Sequence, residues 1–390
     1  MAIKTTSGGA KRPLAKPIPE RIKEAREARG FTLDGFADAL GVTRQAVAQY
    51  ETGLSAPSGE TMAKIIALTE QPLAFFTTLP ARAGDPRAMF WRSLKRMEAH
   101  HRRRIMRRVQ WACDIATLVD RFVELPPANL PHLEFDPETA DDDDIEAAAE
   151  KLRDHWRLGR GPITDLAAIL EENGVILVRE PVRCADMDAV SCWLSGRPFV
   201  LLSAEVVSGP RDLFNLSHEI AHMVLHSDVE INSENLAKIE KQAHRFASAF
   251  LMPRETFSQE VLGTSIEYFK SLKRRWGTAI AAMAYRCKDL EILNDNQFSY
   301  IFRQMSIAKI RKIEPLDNVI PVSSPTLLGE AIKMMIEHRV YSRDQIERAL
   351  GLNLRDVESI CGLSEGYLDT RVVRVQFRPS VDTNDNENAV

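Results

Sequence analysis

The run FNLSHEIAHMVLH, residues 214–226, restricts this chain more than any other segment. His218 and His222 are four residues apart, so on an α-helix both imidazoles leave the same face, separated by about 6 Å along the axis. Two ring nitrogens so placed can meet one Zn²⁺ at about 2.0–2.1 Å. Glu219 falls beside such an ion rather than on it, where a carboxylate can take a proton from an attacking water and pass it to a leaving amine. Leu216, Ile220, Ala221, Met223 and Val224 are apolar, so this helix must be buried under whatever it serves. With only 9 histidines in 390 residues, H-E-x-x-H arises by chance in about one such chain in a hundred, and the pattern is taken as signal.

A catalytic zinc needs a third protein ligand and an open fourth position. His226 continues the four-residue series but lies about 12 Å along a straight helix from His218 and cannot share its ion. Asp228 stands where a metzincin-like ligand would fall, yet Leu225 replaces the glycine that bends the chain in such sites. Glu240 is the better candidate. It opens the helical segment IEKQAHRFASAFLMP (239–253), and His244, one turn further on, is expected to orient a ligand. On spacing alone, the alternative for Glu240 is a solvated helix charge.

A second pattern lies near the N-terminus, in TLDGFADALGVTRQAVAQYETG (32–53). A helix-turn-helix needs a small residue where two helices cross, a glycine in the turn and apolar residues locking the second helix. Ala37, Gly41, Val42, Val47 and Tyr50 stand at those places. Thr43 is expected to N-cap the second helix, leaving Arg44, Gln45 and Gln49 facing outward. Arg suits guanine and Gln suits adenine in the major groove, so Thr43, Arg44, Gln45 and Gln49 are the candidate DNA-binding residues. The alternative is a helical hairpin with a polar surface. Between Arg82 and Arg108 ten Lys and Arg residues face two acids; they could add phosphate contacts or simply form a solvated helix face.

Composition bounds the rest. Lys and Arg number 51 against 55 Asp and Glu, a formal charge of −4, which excludes a uniformly basic nucleic-acid coat. No run of about 20 apolar residues crosses a membrane, and the first residues carry no signal-peptide core. Five cysteines (113, 184, 192, 287 and 361), never spaced C-x-x-C, suit a reduced cytoplasmic protein. The expected organisation is a tail (1–16), a helix-turn-helix domain (17–77), a basic long-helix connector with a proline-rich linker (78–135), a metallopeptidase domain (136–315), a helical C-terminal region (316–378) and a tail (379–390). Short β-like runs at 175–178, 189–194 and 198–202, the last two joined as a hairpin, interrupt an otherwise helical pattern. The fold class is therefore mainly α with an α+β metallopeptidase domain.

Residues 18–77 resemble the lambda-repressor-like, XRE-type helix-turn-helix. The stretch SCWLSGRPFVLL…RDLFNLSHEIAHMVLH…EKQAHRFASAFLMP resembles the ImmA/IrrE-type zinc peptidases, and the likeness extends over about residues 145–315. It implies Zn²⁺ held by His218, His222 and Glu240, with Glu219 as general base. Two positions depart from that family: His244 replaces an Asn or Asp, and Ser203 stands where the hairpin often ends in Asn. Such peptidases cleave repressors in stress and mobile-element responses. The implied function is thus a cytoplasmic DNA-binding regulator, dimeric on a double-stranded operator, that cleaves a repressor or other regulatory protein in trans or its own chain. The alternative is a non-proteolytic repressor or antitoxin-like regulator whose zinc domain senses a ligand or binds a partner.

Overall fold

A computed structural model describes residues 16–79, 97–182, 187–227, 229 and 232–369. The two tails, the first part of the basic run, Asp228 and Cys184 lie outside them. Among the described residues five helices come first, α1 (Pro19–Ala28), α2 (Leu33–Leu40), α3 (Arg44–Thr52), α4 (Gly59–Thr69) and α5 (Leu73–Thr77), and then the long helix α6 (Ala99–Val119). Helices α7 (Asp142–His155) and α8 (Leu166–Glu172) lead into strands β1 (Ile176–Glu180), β2 (Ala189–Leu194) and β3 (Arg197–Ser203). Then come α9 (Gly209–Leu225), α10 (Leu236–Leu251), α11 (Arg254–Glu260), α12 (Ile266–Trp276), α13 (Ile280–Asp289) and α14 (Asp295–Ile307). Helices α15 (Leu327–Glu337), α16 (Arg343–Leu350) and α17 (Leu354–Ile360) end the described chain. The mainly helical fold with one small sheet agrees with the class read from the sequence.

Local chemistry sets many of these ends. The Asp141 carboxylate accepts from Asp143 and Asp144 N–H while Asp144 caps back, so the acidic run at 141–144 is a capping box at the positive end of α7. Gly41 ends α2 at φ +72°, a left-handed turn that costs a β-carbon dearly and glycine almost nothing. Gly209 has a different task. A β-carbon there would lie 2.3 Å from the Pro321 carbonyl and 2.4 Å from that of Ile320, because the 320–321 backbone crosses the start of α9.

The sheet order is β1-β3-β2, with β3 antiparallel to β2 through the Ser195-Gly196 turn and parallel to β1. Alternation of side chains divides two cores across it. Ile176, Val178, Val190, Cys192, Phe199 and Leu201 join the core that also contains α1, α6 and α15–α17. Leu177, Ala189, Val200 and Leu202 join the core built on α7–α10 and α12–α14. Both faces are covered, which is why the strands read as nearly continuous apolar runs rather than alternating ones. Cys113, Cys192, Cys287 and Cys361 are free and buried. No described helix is long and apolar enough to cross a membrane.

A buried ionic cluster fastens the N-terminal helices to the sheet and the C-terminal helices. Asp356 accepts from Arg29 Nη1 and Nη2 (2.8 Å each), from Arg108 Nη1 (2.6 Å) and from Gln71 Nε2 (2.5 Å). Arg108 also pairs with Glu180 on β1. Burial by itself would raise the Asp356 carboxyl, but Arg108 and Arg29 outweigh it and hold that carboxyl below the ordinary carboxylate range. Much of the described end of the basic run is spent in this way. Arg107 pairs with Glu27 at 2.9 Å, Arg103 reaches the same carboxylate at 3.5 Å, and Arg104 donates to the carbonyls of Pro181 and Val182. Arg104, Arg107 and Arg108 tie α6 to α1, to β1 and to the segment after it, while Arg103 keeps 44% of its side chain exposed.

Candidate metal centre

Helices α9 and α10 pack on each other and bring the candidate ligands into one cluster. His218 Nε2 and His222 Nε2 are 3.1 Å apart. Glu240 Oε2 lies 3.3 Å from His218 Nε2, and its Oε1 lies 3.6 Å from His222 Nε2. A tetrahedral zinc ion with bonds of about 2.0–2.1 Å separates neighbouring ligand atoms by about 3.3 Å, and the three observed separations bracket that spacing. The donor set, two imidazoles and one carboxylate, suits a divalent transition metal. These residues therefore fit the group that the sequence motif implies. Glu240 is not a solvated helix charge: it is 5% exposed and faces both rings.

Glu219 is held away from that triangle. Its Oε2 accepts from Ser191 Oγ at 2.6 Å, and Ser191 sits on β2, the strand at the sheet edge that packs against α9. Burial pushes the Glu219 carboxyl above the usual range, opposed by the charge of His218 and by the Ser191 hydrogen bond. A carboxyl so perturbed beside a candidate metal site marks a candidate functional residue.

His244 stands beside His218. Its ring stacks on Phe214 with centroids 5.8 Å apart and tilts against His218 at 4.6 Å. One ligand atom from each of His218, Glu240 and His244 lies within 4.8 Å of the others. His244 thus stands at the mouth of the cluster and borders a cleft of 1090 Å³ that runs past Val207, Arg211, Tyr285 and Ile313. Ser203 lines the same cleft and donates to Glu205 at 2.6 Å.

Residues on the far side of His222 were not legible as a functional group. His222 Nδ1 is 3.2 Å from His226 Nδ1, His226 Nε2 is 3.2 Å from Gln242 Oε1, and Gln242 Nε2 donates to the Pro137 carbonyl at 2.9 Å. Burial drives the His226 imidazole down to about 4. The i, i+4 spacing of His222 and His226 was the available signal. Gln242 offered none.

In the N-terminal part, Thr43 Oγ1 accepts from Ala46 N–H at 3.1 Å and caps α3 as the sequence predicts. Ala37 and Val47 are buried at the crossing of α2 and α3. Arg44 and Gln45 are exposed, and Gln49 is half-buried on the same helix. Arg44 reaches Asp34 at 3.6 Å across the surface, a contact weak enough for DNA to displace.

Fold and site together place a helix-turn-helix unit ahead of a metallopeptidase-type domain. Residues 22–76 match the helix-turn-helix family model, and residues 170–288 match the model of the IrrE N-terminal-like domain, a peptidase family. The chain carries both domains. A 46-residue stretch is 39% identical to an uncharacterized, SPbeta prophage-derived HTH-type transcriptional regulator, YonR, of Bacillus subtilis. That match covers 12% of this chain and 43% of the relative, so less than half of the relative is spanned.

Proposed function

We propose that the chain is a transcriptional regulator whose IrrE-like domain (136–315) is a zinc-dependent site-specific endopeptidase. The observation that carries this reading is the triangle of His218, His222 and Glu240 ligand atoms, 3.1–3.6 Å on a side, with Glu219 beside it and engaged by Ser191 instead. A zinc ion bound there supplies Lewis acidity toward a water and a peptide carbonyl. Glu219 accepts the proton of the attacking water and returns it to the departing amine, and the Ser191 hydroxyl holds the carboxylate in place between the two transfers. The edge strand β2 is where an extended substrate segment pairs. Arg44, Gln45 and Gln49, on a helix capped by Thr43 in the 17–77 unit, read the bases of a double-stranded operator, with two copies of the chain on two half-sites. The substrate is a repressor or other regulatory protein, in trans or the chain itself, in a stress or mobile-element response. The prophage origin of the similar regulator agrees with that setting.

A non-proteolytic regulator is the second reading, and His244 favours it. A ring nitrogen so near His218 and Glu240 could complete a closed four-ligand shell of the structural kind. Digestion of a proteome-derived peptide library by the zinc-loaded chain and its Glu219→Gln variant separates the two. The peptidase reading expects specific cleavage, reduced by about 10²–10⁴-fold in the variant, with metal content and DNA affinity unchanged. Equal cleavage by both, or none by the zinc-loaded wild type, refutes it.

A further inference from the structure

We propose that His226 and Gln242 are positioning residues that lock His222 into the tautomer able to bind a metal, with the direction of the whole chain set by the backbone carbonyl of Pro137. This rests on the metal-site reading above and extends it to residues that touch neither metal nor substrate.

One order of donors satisfies this run of contacts from end to end. A carbonyl oxygen can only accept, so the Gln242 side-chain amide must turn its NH₂ toward Pro137, 2.9 Å away. Its Oε1 then faces His226 Nε2 at 3.2 Å and can only accept, so that nitrogen carries the hydrogen. A neutral imidazole has one N–H, so His226 Nδ1 is left with a lone pair. The nitrogen opposite, His222 Nδ1 at 3.2 Å, must therefore donate. His222 Nε2 is left with its lone pair directed at Glu240 and His218, the protonation state that a metal requires. The reverse assignment would set Gln242 Oε1 against a His226 lone pair.

The chain is built to stay in place. His226 is 0% exposed and Gln242 4%, so water cannot substitute for either partner. Pro137 lies in a turn pinned by Asp136, whose carboxylate accepts from Glu138 N–H at 3.0 Å and Thr139 Oγ1 at 2.7 Å. Lys238 on α10 donates to the next carbonyl, that of Glu138. By contrast, His218 Nδ1 has no hydrogen-bond partner among the described residues. Orientation of the imidazole pair is thus concentrated on His222. Histidine ligands ordinarily rest on a carboxylate or a carbonyl directly; here an imidazole and an amide stand between the ligand and the carbonyl.

The test is zinc affinity of the full chain, by competition with a chromophoric chelator, and the visible spectrum of the cobalt-substituted chain. Gln242→Leu removes the acceptor, and Gln242→Glu keeps one. His226→Asn places an amide oxygen close to the position of Nδ1. Zinc binding is expected to weaken by about 10–100-fold in Gln242→Leu, with a changed cobalt spectrum, and to return to near wild type in Gln242→Glu and His226→Asn. Affinity for DNA, which a general folding defect would lower, stays constant. Wild-type zinc affinity in Gln242→Leu, or a loss in Gln242→Glu as large as in Gln242→Leu, overturns the relay. Glu240→Gln tells the two levels apart. If it binds zinc as the wild type does, or the wild type binds none, the metal site itself is wrong and the relay falls with it. If it loses zinc while Gln242→Leu does not, the relay alone is wrong.

Discussion

Removing the Asp356 carboxylate by Asp356→Ala should cost the folded chain about 3 kcal/mol. The side chain is 5% exposed and accepts four hydrogen bonds, three of them from guanidinium groups. Deleting one partner of a buried charge pair typically costs about 3–5 kcal/mol, because the partner is left buried and unpaired. The low end applies here. Arg108 keeps Glu180, while Arg29 is 20% exposed and retains the Thr69 carbonyl at 2.7 Å. Urea unfolding measures the loss, and a double-mutant cycle with Arg29→Ala isolates the pair, with an expected coupling of about 1 kcal/mol or more. The pH dependence gives a further check. Asp356 is held below its ordinary range when folded, so its contribution is complete above the unfolded value near ~3.9 and fades as pH falls through the lower folded value. The gap between wild type and variant should be flat from pH 7 to pH 5 and narrow in stronger acid. A loss under about 1 kcal/mol at pH 7, or a gap that widens on acidification, would show that the cluster does not fasten the N-terminal helices as described.

Three further outcomes follow from the site. Glu240→Ala should release the metal, with zinc content measured by atomic absorption after dialysis falling from about one ion per chain to a small fraction; full retention would remove Glu240 from the ligand set. Gln45→Ala should weaken operator binding by about 1–3 kcal/mol and relax base preference at one position, seen as a changed profile in a randomised-site selection; a uniform loss across sequences would make Gln45 a backbone contact. His244→Asn should leave zinc bound but admit a small hydroxamate more readily if His244 guards the cluster, and an unchanged dissociation constant would exclude that role.

Much was readable along the chain because short-range chemistry decided it. The periodicity of 214–226, the Thr43 cap and the Gly41 stop depend on neighbours within a few residues, and each element formed where those neighbours directed. The strands also emerged near their expected bounds, β2 at Ala189–Leu194 and β3 one residue longer at each end than 198–202. What spacing left open at Glu240 was a question of distance between two helices, and no pattern within either one contains it.

The sequence by itself determined the two units, the helix that carries His218 and His222, and the donors available to a metal, since residue type and helical pitch are local properties. Tertiary structure alone decided that Glu240 meets both rings, that His244 stacks on Phe214, that Arg104, Arg107 and Arg108 pair with neighbouring elements, and that Gln242 joins His226 to the carbonyl of Pro137, 85 residues before His222. Hydrogen-bond direction and charge pairing act over a few ångströms in space regardless of separation along the chain, so they become visible only once the helices have packed.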